Sequence, residues 1–454
     1  MKFISTRGSG RPVDFAQAMK RAMASDGGLF VPEKLPVLDP KRAADSYWET
    51  ALGVLRAFVP ELEEAGLAGA LQENYRAFPI PVVQTDAGTF LELFHGPTGA
   101  FKDVALTMLP HLEALTGGGE TVYVTATSGD TGKAALEAFR NQPGTRIMVF
   151  YPEEGVSHLQ KLQMQTQQGD NVSVVAIRGN FDDAQRGVKA ILQEFSGQGV
   201  SSCNSINIAR LLTQIPYYFE ASRQLGQRDL SFLVPTGNFG DILAGWYAKA
   251  MGLPVKRLIA VTNDNRVLEE FLRTGRYDRR RPLVKTSSPS MDILVSSNVE
   301  RLLFHCFGPQ ETRRFMDELR DQGFYQADPA SFRDFDAQSA SEEEVQRAIR
   351  TVYEEAGYLM DPHTACAWAA WDQLGRPADH VILATASPFK FPAVIQEALT
   401  GQRQEEREAL AYLSSLAPVH PALAGILERP VRFDRTIDPQ EMREEFLRFM
   451  GGVR

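Results

Sequence analysis

The chain has 454 residues, 43% of them hydrophobic and 23% charged, which is room for two or three domains with sizeable cores in an ordinary globular protein. A formal net charge of −9 argues against a nucleic-acid partner, because phosphate backbones demand clustered Lys and Arg. The dispersed Cys203, Cys306 and Cys366 lack metal-ligand spacing, and no run approaches the roughly 18 apolar residues of a membrane span, so the expectation is a soluble, unexported, cytoplasmic protein.

In chain order, residues 1–84 open with strand-like pieces at Phe3 and Ile4, and helical patterns cover Phe15 to Met23 and Tyr47 to Phe58. The turn D-G-G-L-F-V-P at 26–32 separates them, and Pro79 and Pro81 close a segment with no obvious chemistry. The stretch L-E-L-F-H-G-P-T-G-A-F-K-D (91–103) begins as the end of a buried strand and breaks at Pro97 and Gly99. It reaches Lys102 at the start of a helix. A lysine held among apolar residues at such a junction loses its proton more readily, and a neutral amine is a nucleophile toward an aldehyde.

Apolar runs at 122–126, 146–150 and 172–177 then alternate with helical patterns at 131–140, 154–168 and 182–195. Such alternation predicts βαβ units and a parallel sheet with helices on both faces. A second series predicts a larger lobe: a helix from Leu211, a strand at 231–235, a helix at 240–251 and a strand at 257–262. Residues 263–300, irregular and rich in Ser, Pro and Arg, are expected to form a loop over the site. Ser341 and Glu344 make a capping box ahead of the stripe Val345, Ile349 and Val352, and the tail from Gly401 reads as a solvated helix.

Two junctions share one design. V-T-A-T-S-G-D-T-G (124–132) and F-L-V-P-T-G-N-F-G-D (232–241) each run from an apolar strand through small polar residues into a helix. Their free amides and helix dipole suit an anion. With Lys102 they fit a cofactor carrying an aldehyde and a phosphate, and a substrate carrying a carboxylate. Ligands of open α/β sheets collect at the carboxyl ends of the strands, so all three stretches are expected to face one interlobe cleft. Asp241 has the wrong charge for a phosphate ligand and is expected to cap its helix.

These stretches occur with M-K-F-I-S-T-R-G at the start, N-S-I-N-I-A-R (204–210), S-P-S-M-D-I (288–293), S-S-N-V-E-R-L-L-F (296–304), D-P-H-T-A (361–365) and A-T-A-S-P-F-K-F-P (384–392). The ordered set resembles the threonine synthase family over nearly the whole chain. The resemblance implies an α/β protein of the pyridoxal-phosphate fold type II, tryptophan-synthase-β-like. That fold has two open parallel-sheet lobes with helices on both faces and a small N-terminal domain. The expected division is an N-terminal domain at 1–84, a large cofactor-binding lobe at 85–117 and 201–454, and a small lobe at 118–200.

The same resemblance implies roles. Lys102 would hold pyridoxal 5'-phosphate and then act as base at the substrate's Cα and Cβ. Gly237, Asn238, Phe239 and Gly240 would hold the cofactor phosphate, and Thr385 would face the pyridine nitrogen. Thr127, Ser128, Asp130 and Thr131 would meet the substrate, with Asp130 alternatively capping its helix or orienting Lys133. Lys133, Lys161 and Arg210 are candidates for the substrate's phosphate. His95 and His363 are proton carriers or hydrogen-bonded structural histidines. Where the family commonly reads T-A-H-P-A-K-F, this chain has Ser387 and Phe389, which puts the role of that histidine in doubt.

The implied reaction converts O-phospho-L-homoserine and water to L-threonine and phosphate by γ-elimination and addition of water at Cβ. A phospholyase releasing a 2-oxo acid, ammonia and phosphate shares the motifs, as does a non-catalytic paralogue. Neither a metal nor a nucleic-acid or membrane partner is expected, and both a monomer and a homodimer are compatible with the sequence.

Overall fold

Two mainly parallel sheets organise the chain, and the computed structural model describes residues 1–39, 44–195, 197–226 and 228–451. The larger sheet has the spatial order Phe335–Ser339, Val255–Thr262, Leu230–Pro235, His380–Ala384, Gly88–Glu92 and Val82–Thr85. Every neighbouring pair is parallel except the last, a hairpin closed through Thr85 and Gly88. The smaller sheet has the order Thr436–Ile437, Val172–Ile177, Thr145–Pro152, Thr121–Ala126 and Val200–Ser201, all parallel.

Both sheets are buried on two faces, so their strands are near-continuous apolar runs whose alternate residues feed different cores. In the larger sheet Phe232, Val234, Leu258, Ala260 and Leu383 enter the main core, while Leu233, Ile259, Val261, Ile382 and Ala384 enter a second one on the far face. Tyr123, Ile147, Val149 and Val174 of the smaller sheet join that same main core. One apolar body therefore fixes the lobes against each other and sets the cleft between their carboxyl ends.

The first residues form the strand pair Phe3–Ser5 and Phe30–Pro32, with helices Phe15–Arg21, Tyr47–Phe58 and Glu64–Tyr75. This segment braces the site: the buried Tyr75 hydroxyl donates to the Val104 carbonyl, 2.7 Å away, in the helix that Lys102 opens. The capping box of Ser341 and Glu344 starts the helix Glu342–Ala356, and Val345, Ile349 and Val352 of its stripe are buried.

Two expectations require correction. Residues 263–300 are not all loop: Val267–Thr274 is a helix, because Val267, Leu268, Phe271 and Leu272 lie on one buried stripe that the surrounding Arg and Glu obscure. The assignment of 201–454 to one lobe also fails at both ends. Val200–Ser201 adds a strand to the smaller sheet. The tail returns there too, with Thr436–Ile437 pairing to Ala176 and Ile177, and Met442 and Phe446 of the helix Met442–Gly451 joining the core with Val188 and Ile191. A two-residue strand has too little periodicity to read in a sequence. Among the described residues no helix is long and apolar enough to cross a membrane, and no group of three His, Cys, Asp or Glu is arranged to hold a metal.

Candidate active site

Lys102 is positioned by a turn wound on its neighbour Asp103. The Thr98 amide and hydroxyl donate to the two Asp103 oxygens at 2.8 and 2.6 Å. Gly96 must lack a side chain, since a Cβ there would sit 2.4 Å from that of Asp103. Burial pushes the Asp103 carboxyl up to about 6, against those hydrogen bonds.

The Lys102 ammonium nitrogen stands 3.4 Å from Asp130 Oδ2, 3.4 Å from Ser290 Oγ and 4.6 Å from the Phe101 ring centroid. Burial lowers its pKa, Asp130 opposes that shift, and the Lys390 and Arg210 cations add to it. Such an environment favours the neutral amine, the form that acts as a nucleophile.

The loop 236–241 follows the strand Leu230–Pro235 and opens the helix Gly240–Ala250. Its carbonyls are tied back: Ser296 Oγ donates to Gly237 O at 2.6 Å, and the Asn298 amide donates to Asn238 O at 3.1 Å. Arg301, fully buried, anchors that clamp by donating to Asn298 Oδ1, Phe30 O and Ile206 O. With the carbonyls held, the N–H groups of Gly237, Asn238, Phe239, Gly240, Asp241 and Ile242 donate to nothing among the described residues. Phe239 adopts φ 64°, a strained left-handed conformation for a residue with a side chain, and so completes the turn. A Cβ on Gly237 would lie 2.5 Å from Ser290 O. The result is a cradle of backbone donors at the positive end of a helix.

The loop 127–131 follows the strand Thr121–Ala126 in the smaller lobe. The Thr127 hydroxyl is taken, accepting from the Gly129 and Gly132 amides at 2.9 and 2.8 Å. The Ser128 and Thr131 amides and hydroxyls donate to nothing among the described residues and border the cleft. Asp130 neither caps its helix nor orients Lys133. Its carboxylate receives Lys390 at 2.8 Å, Gln160 at 2.8 Å and Lys102 at 3.4 Å. Burial opposes ionisation, but the two lysines outweigh it and hold the carboxyl far below the usual carboxylate range.

Lys102, Thr127, Ser128, Asp130, Thr131, Arg210, Gly237, Asn238, Phe239, Gly240 and Thr385 thus border one cleft between the carboxyl ends of the two sheets. A family model described as pyridoxal-phosphate dependent enzyme matches residues 89–386, and models of the threonine synthase N terminus and C-terminal region match residues 2–75 and 364–445.

The chain belongs to the threonine synthase family.

The threonine synthase of Pseudomonas aeruginosa is 40% identical, covering 97% of this chain and 96% of that one. The threonine synthase of Saccharomyces cerevisiae is 35% identical, covering 88% and 89%. The crystal structure of the pyridoxal-phosphate-bound threonine synthase from Brucella melitensis superposes with a TM-score of 0.87 at 38% identity, covering 99% of both chains.

The cofactor of this threonine synthase family member is pyridoxal 5'-phosphate, and the donor set fits it. A desolvated amine suits an aldehyde, unpaired amides suit a phosphate, and a neutral hydroxyl borders the same cleft. That hydroxyl belongs to Thr385, whose amide donates to Thr364 Oγ1 at 3.3 Å and whose carbonyl accepts from the Phe101 amide at 2.8 Å. Its own hydroxyl makes no hydrogen bond among the described residues.

Other expected residues fall elsewhere. Lys133 does not border the cleft; it is buried against Glu137, 3.0 Å away, and Gln167, because an i,i+4 acid on its own helix captures it. Lys161 donates to the Glu153 carbonyl at the surface. His95 pairs with Glu92 at 2.6 Å outside the cleft, whereas His363 borders it, held by Asp361 at 2.7 Å and accepting from the Ser290 amide. Asp241 does not cap its helix; its Oδ1 accepts from Tyr217 and Tyr218. Lys390, for which the sequence motif suggests no role, stands at the lobe junction fully buried. A charged residue between two phenylalanines, Phe389 and Phe391, was the available signal.

Proposed function

We propose that the chain acts on O-phospho-L-homoserine, adding water and releasing L-threonine and inorganic phosphate. The observation that carries this reading is Lys102, a buried amine of lowered pKa in the same cleft as the unpaired 237–240 amides. Pyridoxal phosphate, when bound, supplies an electron sink for carbanions next to the substrate nitrogen.

In this reading Lys102 Nζ would hold the cofactor through its aldehyde and, once the substrate's amine has displaced it, the freed amine would take the proton from the substrate Cα and serve Cβ in turn. Asp130 and Ser290 keep that nitrogen within reach. Gly237, Asn238, Phe239 and Gly240 hold the cofactor phosphate, and Thr385 faces the pyridine nitrogen. A neutral hydroxyl there leaves the ring less electron-withdrawing than a carboxylate partner does, which restrains side reactions. The open amides and hydroxyls of Ser128 and Thr131 take the substrate carboxylate, with Thr127 shaping the loop behind them. Arg210 takes the leaving phosphate. It is 5% exposed, borders the cleft, gives Nη1 to Cys203 O, and its Nε has no partner among the described residues. The reading treats residues 1–84 as a brace and the protein as cytoplasmic, acting as a monomer or homodimer.

Incubating the purified protein with O-phosphohomoserine and assaying phosphate, threonine and 2-oxobutyrate together tests the proposal. Phosphate and threonine in equal amounts are expected. Phosphate with 2-oxobutyrate in place of threonine would reject synthesis in favour of a lyase.

A further inference from the structure

Gln214 borders the cleft, is 3% exposed, and has no part in the reaction as read above. Its side-chain amide makes no hydrogen bond among the described residues, yet neither Oε1 nor Nε2 is sealed off by the surrounding protein. What little of the residue is open therefore faces the cleft.

Gln214 lies in the turn between the helices Ile208–Leu212 and Pro216–Gln224, with its backbone N–H spent on the Leu211 carbonyl at 3.2 Å. On one side of that turn Thr213 Oγ1 donates to Ala209 O at 2.8 Å, and on the other the Tyr218 hydroxyl donates to Asp241 Oδ1 at 2.9 Å. The second contact docks the turn against the first residues of the helix Gly240–Ala250. Gln214 Oε1 consequently stands 3.8 Å from the point that a Cβ on Gly240 would occupy, beside a loop amide that donates to nothing among the described residues.

A side-chain amide held almost wholly out of water with neither its donors nor its acceptor matched is costly, where a methionine or leucine of similar volume is not. A polar ligand next to Gly240 removes that cost. We infer that Gln214 donates from Nε2 to the cofactor phosphate, adding a side-chain donor to a seat otherwise built of backbone N–H groups. The inference rests on the proposed role of the 237–240 loop as the phosphate site. Oε1 and Nε2 exchange places by a half-turn about the last side-chain bond, so the nitrogen reaches the position of the oxygen. Because the phosphate is ionised, the hydrogen bond is charge-assisted and stronger than one between neutral groups. Arg210, one helical turn earlier, remains the cation for the substrate's own phosphate.

The test compares pyridoxal 5'-phosphate with pyridoxal, which keeps the aldehyde for Lys102 but has no phosphate, on the full chain freed of cofactor. Absorbance of the bound form gives both affinities. Gln214→Met, which keeps the length and loses the amide, should bind pyridoxal 5'-phosphate about tenfold more weakly and pyridoxal as the wild type does. Gln214→Glu, which sets a carboxylate against the phosphate, should weaken pyridoxal 5'-phosphate further and again spare pyridoxal; this variant carries the test if Gln214→Met does not fold. Equal losses for the two ligands would mark the residue as structural and overturn the inference. So would an unchanged affinity for pyridoxal 5'-phosphate, or, with cofactor saturating, a change confined to a higher KM for O-phosphohomoserine, which would put the amide on the substrate's phosphate instead. A wild-type protein that binds the two ligands equally well would overturn the phosphate-loop reading as well.

Discussion

Lys390 Nζ lies 2.8 Å from Asp130 Oδ1, with both side chains at most 1% exposed, and the pair joins the two lobes behind Lys102. Lys390 also donates to the Thr98 carbonyl at 3.2 Å, tying the junction to the turn that presents Lys102. Removing one member of a buried pair leaves the other charge uncompensated. Lys390→Met is therefore expected to destabilise the protein by about 3–5 kcal/mol, read from urea denaturation. A loss under 1 kcal/mol would mean that Lys102 alone balances Asp130.

Lys102→Ala should remove activity without comparable destabilisation, because Asp130 keeps Lys390 and Gln160. The wild-type holoprotein should show visible absorbance that borohydride bleaches, and the variant should lack the borohydride-fixed adduct. Mass spectrometry of the reduced protein should place the added mass on the peptide containing Lys102.

Gly237→Ala should weaken cofactor binding far more than Gly240→Ala. A Cβ at 237 would meet the Ser290 carbonyl at 2.5 Å, whereas one at 240 would meet the Asn298 side-chain amide at 3.2 Å, which needs only a small shift. Spectroscopic titration of both variants with pyridoxal phosphate compares them. Similar affinities would show that the loop relaxes away from Ser290.

Asp103→Asn tests the buried acid beside Lys102. The wild-type carboxyl has a folded-state pKa of about 6, above its ordinary value of 3.8. The folded state therefore binds more protons than the unfolded state between those values. The stability contributed by the protonated acid is fully present below pH 3.8 and is lost as pH rises through about 6. An asparagine accepts from the Thr98 amide and donates to its hydroxyl with no charge to bury. Its stability relative to wild type should rise from pH 4 to pH 7, measured by denaturation at each pH; a constant difference would contradict the shifted acid.

The alternation of strands and helices, the junction at Lys102 and both glycine-bearing loops were legible in the sequence. Each is a local pattern: a buried parallel strand is a continuous apolar run, and a turn into a helix needs small residues in fixed order. The helix Val267–Thr274 was equally local but was hidden by its charged neighbours. Local pattern cannot report partners chosen across hundreds of residues. The seating of Thr436–Ile437 on the smaller sheet, the pairing of Lys390 with Asp130 and the phenols around Asp241 all depend on which segments meet in the shared core. Residue type and spacing determined which groups could serve an aldehyde and an anion. Only the packing of the two sheets decided which of them share a cleft, because charge and hydrogen-bond energies are set by distance and burial, and neither is written along the chain.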